Sequence, residues 1–565
     1  MSKRFLRLLG RKIKGKYKDI DPEDIFLDST NLPGFDTDRF EGRIEEPIGW
    51  RTFSAFKVIL LVVAILLSGQ LINLQVIKGE QFKKISLNNA LTRGLIFANR
   101  GVIMDRNGVE LATNAVRNSG TDFSVRLYTD LKGFAHTVGY LKYPSKDSLG
   151  FYYDTEYKGV GGAEKIYNHI LTGKNGLKIT ETNALGIVIS ESVLEEPEDG
   201  RPVTLSLDAD LTHKLYSAME AYGKERGFTG GAGVIMDVET GELIALTSYP
   251  EYDANVITDG KNKDAITALL KDPANPFLNR VVSGLYTPGS ILKPIVAMAA
   301  LNEGIITPEK QIYSKGFISI PNPYDPTKSS IFRDWKAHGW TDMRSALAVS
   351  SDTYFYAIGG GYEDQRGLGI TNINKYFRLF GIDTKTGIEL PGESVGLIAT
   401  PEWKAEKFDG DIWRLGDTYI ATIGQYGTQI TPLEAVRMTA ALANSGSLLV
   451  PSIVKGGLPE LSRVSGTVNL PERYFQIVRE GMREAVTDGT ALLLSQPHVT
   501  VAAKTGTAEL GVRKDRINSW SVGFFPYENP RYAFAVIMER GPAENTLSAS
   551  YVMRQVLDYM ATESP

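Results

Sequence analysis

The sequence contains no cysteine, and this absence excludes disulfide bonds, thiolate catalysis and cysteine-ligated metal sites. A surplus of positive charge is also missing, because 62 Lys and Arg residues stand against 66 Asp and Glu residues, for a formal net charge of -4. Such a chain has no general attraction to nucleic acid, and neither zinc-finger nor Walker-type spacing occurs in it. Nucleic-acid binding is therefore excluded, and no nucleic-acid partner is predicted.

Long apolar runs are scarce as well, and a single one stands out near the N-terminus. Residues 58–67 are all apolar, and further apolar residues as far as Ile77 bring the run close to the roughly 20 residues that span a bilayer. The preceding segment is too long for the basic region of a signal peptide, and no A-x-A cleavage site follows. The sequence therefore predicts an uncleaved, single-pass transmembrane anchor over residues 56–77.

The segment before the anchor is basic at its start, because residues 3–18 carry eight Lys and Arg side chains and no acid. Basic flanks favour the cytoplasmic side of a membrane. We therefore expect residues 1–55 to form a cytoplasmic tail at the inner (cytoplasmic) membrane, with the rest of the chain outside the cytoplasm. Gln70, Asn73 and Gln75 make the span partly polar, which favours either a protein partner in the membrane or a position at the outer headgroups.

The remainder is long enough for two or more globular units with their own cores. Residues 99–108 have the pattern strand, Asn-Gly turn, strand, and residues 78–228 read as short strands and turns without a catalytic constellation. From Gly231 onwards, hairpin patterns at both ends enclose helical patterns, including residues 290–302, 433–443 and 547–560. The sequence thus predicts a mainly β pedestal over 78–228 and an α/β domain, an antiparallel sheet flanked by helices, over 229–565.

The first chemical signal is Ser290-Ile-Leu-Lys293, which follows Pro-Gly at the start of an apolar helical run. Residues three apart share a helix face, and a lysine that loses its proton can serve as the base that activates a serine hydroxyl. A single S-x-x-K is weak, because a serine N-cap followed by an exposed lysine gives the same pattern.

Two further signals follow in the order that is typical of penicillin-recognising enzymes. They are Ser350-Ser-Asp352 and Lys504-Thr-Gly-Thr507, the latter on a strand predicted over residues 499–507. Each has a structural alternative on its own, since Ser350 could cap the next helix and Gly506 could kink an edge strand. The three together are specific.

With these motifs in place, the sequence resembles the class B penicillin-binding proteins, most closely those of the elongation type. The resemblance extends from the anchor to about Met560, and it includes residues 100–108, 159–164, 252–253, 332–335, 352–356, 416–418 and 423–425. It implies the penicillin-binding transpeptidase fold, preceded by a dimerisation-like pedestal. Only about fifty residues separate the first hairpin from Gly159, so the membrane-distal head is shorter than the family pattern implies.

The resemblance implies a D,D-transpeptidase that cross-links peptidoglycan stem peptides during cell elongation and is acylated by β-lactams. Ser290 would be the nucleophile, Lys293 the base and Ser350 a proton relay. Lys504 and Thr507 would hold the substrate carboxylate. The backbone N–H groups of Ser290 and Thr507 would form the oxyanion hole, with the substrate lying against residues 505–507, Thr505, Gly506 and Thr507.

Asp352 stands where the general motif has asparagine, as is usual in the elongation branch. The implied partners are a RodA-type SEDS glycosyltransferase and the elongation machinery. Some elongation-type relatives bind zinc near the second motif, for which Asp334 and His338 are candidates here. Because no cysteine completes such a site, we predict no metal and no cofactor.

Two other functions use the same motifs. A D,D-carboxypeptidase or β-lactamase would transfer the acyl group to water, and a non-catalytic penicillin-binding sensor or scaffold would bind without turnover. The anchor and the non-catalytic pedestal argue against a soluble hydrolase, and the intact motifs argue against a decayed site.

Overall fold

The computed structural model describes residues 49–115, 121–183, 187–322, 325–545 and 547–563. The predicted basic tail therefore lies almost wholly outside the described residues. The chain divides into two compact units, one ending at Leu91 and one beginning at Thr92.

The first unit contains the apolar helix. Helix α1 (Trp50–Ile72) continues through a π-helical turn (Asn73–Ile77), and α2 (Gly79–Ala90) follows it. The continuous helix has 28 residues, and its most apolar window has a mean hydropathy of 2.4 and contains no buried residue. At about 1.5 Å per residue this length exceeds the hydrocarbon core of a bilayer. The helix fits a single-pass membrane anchor, and it begins six residues earlier than the sequence predicted.

A β-rich region follows over residues 91–205, and all of it except Leu91 belongs to the second unit. Its strands form small sheets in the orders β1-β9-β10, β11-β2-β3-β4, β5-β8 and β6-β7. The strands are β1 (Leu91–Ile96), β2 (Ile103–Met104), β3 (Glu110–Ala115), β4 (Val125–Tyr128), β5 (Leu141–Lys142), β6 (Ser145–Lys146), β7 (Tyr152–Asp154), β8 (Lys158–Gly159), β9 (Gly176–Thr182), β10 (Val188–Glu195) and β11 (Val203–Thr204). Short helices α3 (Ala135–Val138), α4 (Gly162–Ile166) and α5 (Asn168–Leu171) lie between them.

The predicted hairpin over residues 99–108 is present as β2 and β3. Asp105 stabilises its turn by accepting hydrogen bonds from the backbone N–H groups of Asn107 and Val109, and Gly108 takes a φ of 91°. The expectation of strands and turns over residues 78–228 is wrong for α2, for the short helices α3, α4 and α5, and for the longest helix of the range, α6 (Ala209–Arg226). There Asp208 caps the N-terminus and Gly227, with φ of 73°, ends the helix.

The rest of the second unit, residues 206–563, is built on one antiparallel sheet in the order β13-β12-β22-β21-β20. Its strands are β12 (Gly230–Asp237), β13 (Leu243–Tyr249), β20 (Ala502–Leu510), β21 (Arg516–Phe525) and β22 (Tyr532–Pro542). The two hairpins that the sequence indicated at the ends of this domain are present as β12 with β13 and β21 with β22. The strand predicted over residues 499–507 is β20, which begins and ends three residues later. The prediction followed the apolar residues, and these do not show where pairing with β21 begins.

Alternation along the central strands divides the core into two layers. Val234 and Met236 belong to one buried cluster, whereas Ile235 between them belongs to the other, as the two-residue period of a strand requires. Both faces of the sheet are therefore covered.

The elements that cover the sheet and frame the site have the following bounds. The helices are α7 (Ala254–Asp259), α8 (Lys263–Lys271), α9 (Arg280–Ser283), α10 (Lys293–Asn302), α11 (Met343–Ala348), α12 (Asp352–Gly360), α13 (Ile370–Leu379), α14 (Pro401–Lys407), α15 (Leu415–Thr422), α16 (Pro432–Ala443), α17 (Glu460–Arg463), α18 (Glu472–Asp488) and α19 (Ser550–Glu563). Three peripheral hairpin-like pairs are formed by β14 (Ile312–Ser314) with β17 (Gly339–Thr341), β15 (Phe317–Asn322) with β16 (Asp325–Arg333), and β18 (Ser447–Leu449) with β19 (Val464–Thr467).

Candidate active site

Ser290 lies in a turn of 3-10 helix (Gly289–Leu292) that leads directly into α10. The sequence predicted one helix from Ser290 to Asn302, and the structure shows that its first turn is the tighter form. In a 3-10 helix residues three apart are eclipsed, so Ser290 and Lys293 share one face, as expected. Ser290 is partly exposed and Lys293 is fully buried. No hydrogen bond of the Ser290 hydroxyl occurs among the described residues.

The second motif forms a strained turn before α12. Ser350 has a φ of 60°, which is uncommon for a residue with a side chain, and Ser351 caps α12 by accepting from the backbone N–H of Tyr354 at 3.3 Å. The structural alternative for Ser350, an N-cap, is therefore wrong, because its neighbour does that work. The Ser350 hydroxyl remains available to the site.

Among the described residues, every hydrogen-bond acceptor of Lys293 belongs to this turn. Its Nζ donates to the carbonyl oxygen of Ser350 at 2.7 Å, to Ser350 Oγ at 3.2 Å and to Asp352 Oδ1 at 2.6 Å. Three acceptors match the three donors of an ammonium group. Burial raises the pKa of Asp352, and the charge of Lys293 opposes that rise.

The third motif lies on β20, at the edge of the sheet. Lys504 Nζ is fully buried and donates to Ser350 Oγ at 2.8 Å and to the carbonyl oxygen of Thr505 at 2.9 Å. Burial lowers the pKa of Lys504 well below its usual value, and the charge of Lys293 lowers it further. The Ser350 hydroxyl thus bridges two lysine nitrogens, and burial favours the neutral form of Lys504.

Backbone contacts bring β20 against the turn that carries Ser290. A Cβ atom added to Gly506 would lie 2.9 Å from the carbonyl oxygen of Pro288, and one added to Gly289 would lie 3.0 Å from the carbonyl oxygen of Thr507. The Trp520 Nε1–H group donates to the carbonyl oxygen of Thr287 at 3.0 Å and fixes the same turn from β21. Thr507 is exposed at the strand edge beside Ser290.

The five residues predicted as catalytic are therefore brought together by three segments of chain: Ser290, Lys293, Ser350, Asp352 and Lys504. Gly506 and Thr507 lie beside them on β20, as the sequence predicted for the substrate side. Thr505 was predicted to contact the substrate as well, but its hydroxyl donates to Thr490 Oγ1 at 2.8 Å, which lies outside the three motifs.

One side chain supports the site in a way that the sequence analysis did not predict. Asp334, which is fully buried, accepts from Ser351 Oγ at 2.9 Å and from the backbone N–H of Thr353 at 2.8 Å. Burial alone would raise the pKa of Asp334, but the Thr353 N–H and the charge of Lys293 outweigh it, and the pKa is lowered. The only sequence signal was the family motif at residues 332–335.

The proposed zinc candidates do not form a metal site. Asp334 and His338 lie in an irregular bend rather than on a helix, and His338 Nε2 is 3.3 Å from Asp334 Oδ1. Both carboxylate oxygens already accept hydrogen bonds, and the described residues contain no group of three His, Cys, Asp or Glu that could hold a metal ion. These residues do not fit zinc, and the mechanism does not use it.

Comparison with known proteins places this geometry in a family. Residues 231–558 match the penicillin-binding protein transpeptidase domain, and residues 119–205 match the penicillin-binding protein dimerisation domain. The chain is similar to peptidoglycan D,D-transpeptidase MrdA of Acinetobacter baumannii (33% identical over 456 residues) and of Escherichia coli K12 (28% over 618). The alignments cover 75% of this chain and 64% of the Acinetobacter enzyme, and 90% of this chain and 94% of the E. coli enzyme.

Solved structures agree. The PBP2 of Pseudomonas aeruginosa is 32% identical, with a TM-score of 0.66 and coverage of 82% of this chain and 96% of that one. The Helicobacter pylori PBP2 that was solved with MreC is 27% identical, with a TM-score of 0.66 and coverage of 84% and 99%. A chain of a peptidoglycan synthase complex is 27% identical, with a TM-score of 0.68 and coverage of 90% and 98%. The chain therefore belongs to the penicillin-binding protein transpeptidase family, and it has the transpeptidase fold that the resemblance implied.

Proposed function

We propose that this transpeptidase is a peptidoglycan D,D-transpeptidase that cross-links stem peptides through a Ser290 acyl-enzyme during cell elongation. One observation carries the proposal: the Ser350 hydroxyl lies between Lys293 and Lys504, and Lys293 shares a helix face with the partly exposed Ser290. Ser290 Oγ attacks the carbonyl carbon of the penultimate D-Ala, and the terminal D-Ala leaves. The amine of a second stem peptide then attacks the ester and releases Ser290.

The contacts support a proton relay that prepares Lys293 as the base. Lys293 passes a proton to Ser350 Oγ while the Ser350 hydroxyl proton passes to Lys504 Nζ, over 3.2 and 2.8 Å. Ser350 is unchanged by the exchange, Lys293 becomes a neutral amine, and Lys504 becomes an ammonium. Neutral Lys293 then takes the Ser290 proton as the carbon–oxygen bond forms. As the carbon–nitrogen bond breaks, the leaving nitrogen takes the Ser350 hydroxyl proton and the Lys504 ammonium returns a proton to Ser350 Oγ, so both lysines regain their starting states.

The same exchange prepares the substrate pocket. A charged Lys504 favours a carboxylate, and Thr507, which is exposed on β20, supplies a hydroxyl that can donate to the terminal D-Ala carboxylate. The backbone N–H groups of Ser290 and Thr507 are the proposed oxyanion hole, and the close approach of Gly289 to Thr507 supports their adjacency. β-Lactams acylate Ser290 by the same attack because they mimic acyl-D-Ala.

Turnover on stem peptides separates this function from its alternatives. Purified enzyme is incubated with lipid-linked glycan strands, and the products are digested and analysed for cross-linked peptides. A transpeptidase forms cross-links, a carboxypeptidase or β-lactamase releases D-Ala or hydrolysed lactam without them, and a sensor does neither. The Ser290→Ala protein is the matched control, and cross-linking by that variant would refute the proposal.

We further propose the topology and partner that the sequence predicted. Residues 1–55 are cytoplasmic, residues 56–77 anchor the chain in the inner membrane, and residues 229–565 act outside the cytoplasm on a pedestal formed by 78–228. The anchor and pedestal dock on a RodA-type SEDS glycosyltransferase of the elongation machinery. The H. pylori relative bound to MreC and the relative within a peptidoglycan synthase complex support such an assembly.

Copurification tests the partner. Wild-type chain and a chain whose α1 is replaced by an unrelated transmembrane helix are extracted in detergent with the glycosyltransferase. If the chain with the replaced helix no longer retains the glycosyltransferase, the contact lies on the anchor, where Asn73 and Gln75 are in the π-helical turn. Equal recovery places it on the pedestal, and failure of both chains to retain the glycosyltransferase refutes the partner.

A further inference from the structure

The strongest unassigned feature is the buried carboxylate of Asp334, which underlies the second-motif turn (Ser350–Asp352). One oxygen, Oδ2, accepts from Ser351 Oγ and from the backbone N–H of Thr353. The other, Oδ1, accepts from the backbone N–H of Trp335 at 2.9 Å and pairs with His338. Asp334 therefore holds the chain at two positions, 351 and 353, that alternate with the two residues facing the lysines.

The turn needs such support because its conformation is unfavourable on its own. Ser350 has a φ of 60°, and residues with side chains keep a left-handed conformation only where the surroundings hold it. The adjacent Trp335 adds a second tie, because its indole N–H donates to the carbonyl oxygen of Val349 at 3.2 Å. The bend at 334–335 thus fixes the residue before the strained position and the residues after it.

The position of this turn decides the chemistry. Every acceptor of Lys293 belongs to it, and the Ser350 hydroxyl that links Lys293 to Lys504 stands at its first residue. A turn that relaxed to an ordinary conformation would move that hydroxyl away from both lysines. Asp334 itself contacts none of the reacting groups.

We propose that Asp334 is a positioning residue, whose carboxylate holds the strained Ser350–Asp352 turn so that the Ser350 hydroxyl reaches both lysine nitrogens. Its catalytic consequence rests on the proposed function, whereas its effect on the turn does not. A carboxylate suits the task because it only accepts hydrogen bonds, and here donors approach both oxygens. In Asp334→Asn one oxygen still accepts hydrogen bonds, but the other is replaced by an NH₂ group that faces donors and cannot accept from them.

The test compares Asp334→Ala and Asp334→Asn with a matched control, Asp237→Ala. Asp237 is a buried aspartate that likewise accepts from two backbone N–H groups, those of Glu239 and Thr240, and it pairs with Arg531. It lies on β12, three strands away from β20 in the sheet. The control therefore removes a comparable hydrogen-bonding group without touching the turn.

The readout is acylation by a fluorescent penicillin, followed to completion. A misplacement of about 1 Å can cost on the order of 10²-fold in rate, so we expect Asp334→Ala to lower the second-order rate constant by about 100-fold. Asp334→Asn should lower it by less, about 10-fold. The final amount of label per protein should stay near that of the wild type, because the variant is slower but still folded. Partial unfolding would instead reduce the amount of protein that reacts. Asp237→Ala should react at the wild-type rate per folded molecule.

Hydrogen exchange supplies a measurement that does not depend on the reaction. The Thr353 amide donates directly to Asp334, so its hydrogen should exchange faster in both Asp334 variants. Its exchange rate should be unchanged in Asp237→Ala. Wild-type acylation rates together with unchanged Thr353 exchange in Asp334→Asn would overturn the inference. If the wild-type enzyme were not acylated at Ser290, the proposed function would fail, and Thr353 exchange would still decide the role of Asp334.

Discussion

Replacing Gly506 with alanine tests how the strand edge and the nucleophile are held together. The Cβ atom of the new side chain would lie 2.9 Å from the carbonyl oxygen of Pro288, 2.9 Å from a methyl group of Ile291 and 3.3 Å from Trp520 Cβ. Gly506 does not have a positive φ, so the alanine backbone itself is unstrained. The perturbation is therefore one of space alone, between β20 and the turn that carries Ser290.

The size of the effect follows from these distances. An ordinary carbon–oxygen contact needs about 3.4 Å, and a backbone carbonyl cannot rotate away, so β20 must retreat by about 0.5 Å. Overpacking of this kind typically costs about 1–3 kcal/mol of stability. If 1 Å of misplacement costs on the order of 10²-fold, half of it costs about 10-fold in the acylation rate constant.

Acylation by a fluorescent penicillin and thermal unfolding measure the two effects. Gly466→Ala on β19 is the matched control, because its Cβ would meet only Leu448 at 3.6 Å, an ordinary contact. We expect the control to match the wild type in both measurements. Gly506→Ala with the wild-type acylation rate and an unchanged Tm would refute the claim that close packing of β20 on Pro288 sets the oxyanion site.

Three further predictions concern the reacting groups. Ser290→Ala should abolish penicillin labelling, a loss on the order of 10⁶ in rate, with circular dichroism unchanged, and peptide mapping of wild-type label to another residue would contradict it. Lys293→Ala should almost abolish acylation, and Lys504→Ala should lower the second-order rate constant because it removes both the proton acceptor of the relay and the charge that holds the carboxylate; a wild-type rate in Lys293→Ala would exclude it as the base. The rate should also fall on the acid side as Lys504 becomes protonated and the relay stops. Because the Asp352 carboxylate favours protonated Lys504, Asp352→Asn should move that limb of the pH profile to lower pH, and a shift to higher pH would contradict the relay.

Local patterns predicted the parts of this site that depend on neighbouring residues. The hairpin between β12 and β13 followed from two apolar runs around Thr240-Gly241, and the face shared by Ser290 and Lys293 followed from their spacing. Local patterns failed where two neighbouring residues could take the same structural role. Ser350 and Ser351 are equally good caps by composition, and only the structure shows that Ser351 takes the cap.

Long-range contacts could not be predicted in the same way. Asp334 accepts hydrogen bonds from residues 351 and 353, which follow it beyond β17 and α11, and apart from the family motif at residues 332–335 nothing in its neighbourhood distinguishes it from a surface aspartate. Asp334 and His338 are four residues apart, which is a helical spacing, but the chain between them forms a bend. Helix α6 was missed for another reason: its core face mixes alanine, threonine and tyrosine with leucine, which dilutes the apolar period.

The glycines explain why the site depends on main-chain packing as well as on its motif side chains. A Cβ atom on Gly424 would lie 2.1 Å from the carbonyl oxygen of Gly289, and one on Gly289 would approach Thr507 to 3.0 Å, so three distant segments meet backbone to backbone beside Ser290. Gly289 and Gly424 also have φ of 59° and 75°, which leaves glycine as the residue that suits both demands. An oxyanion hole made from backbone N–H groups needs this close contact, because no rotamer can restore a donor once the segments separate. Substitutions at these glycines should therefore lower the acylation rate even where every catalytic side chain is intact.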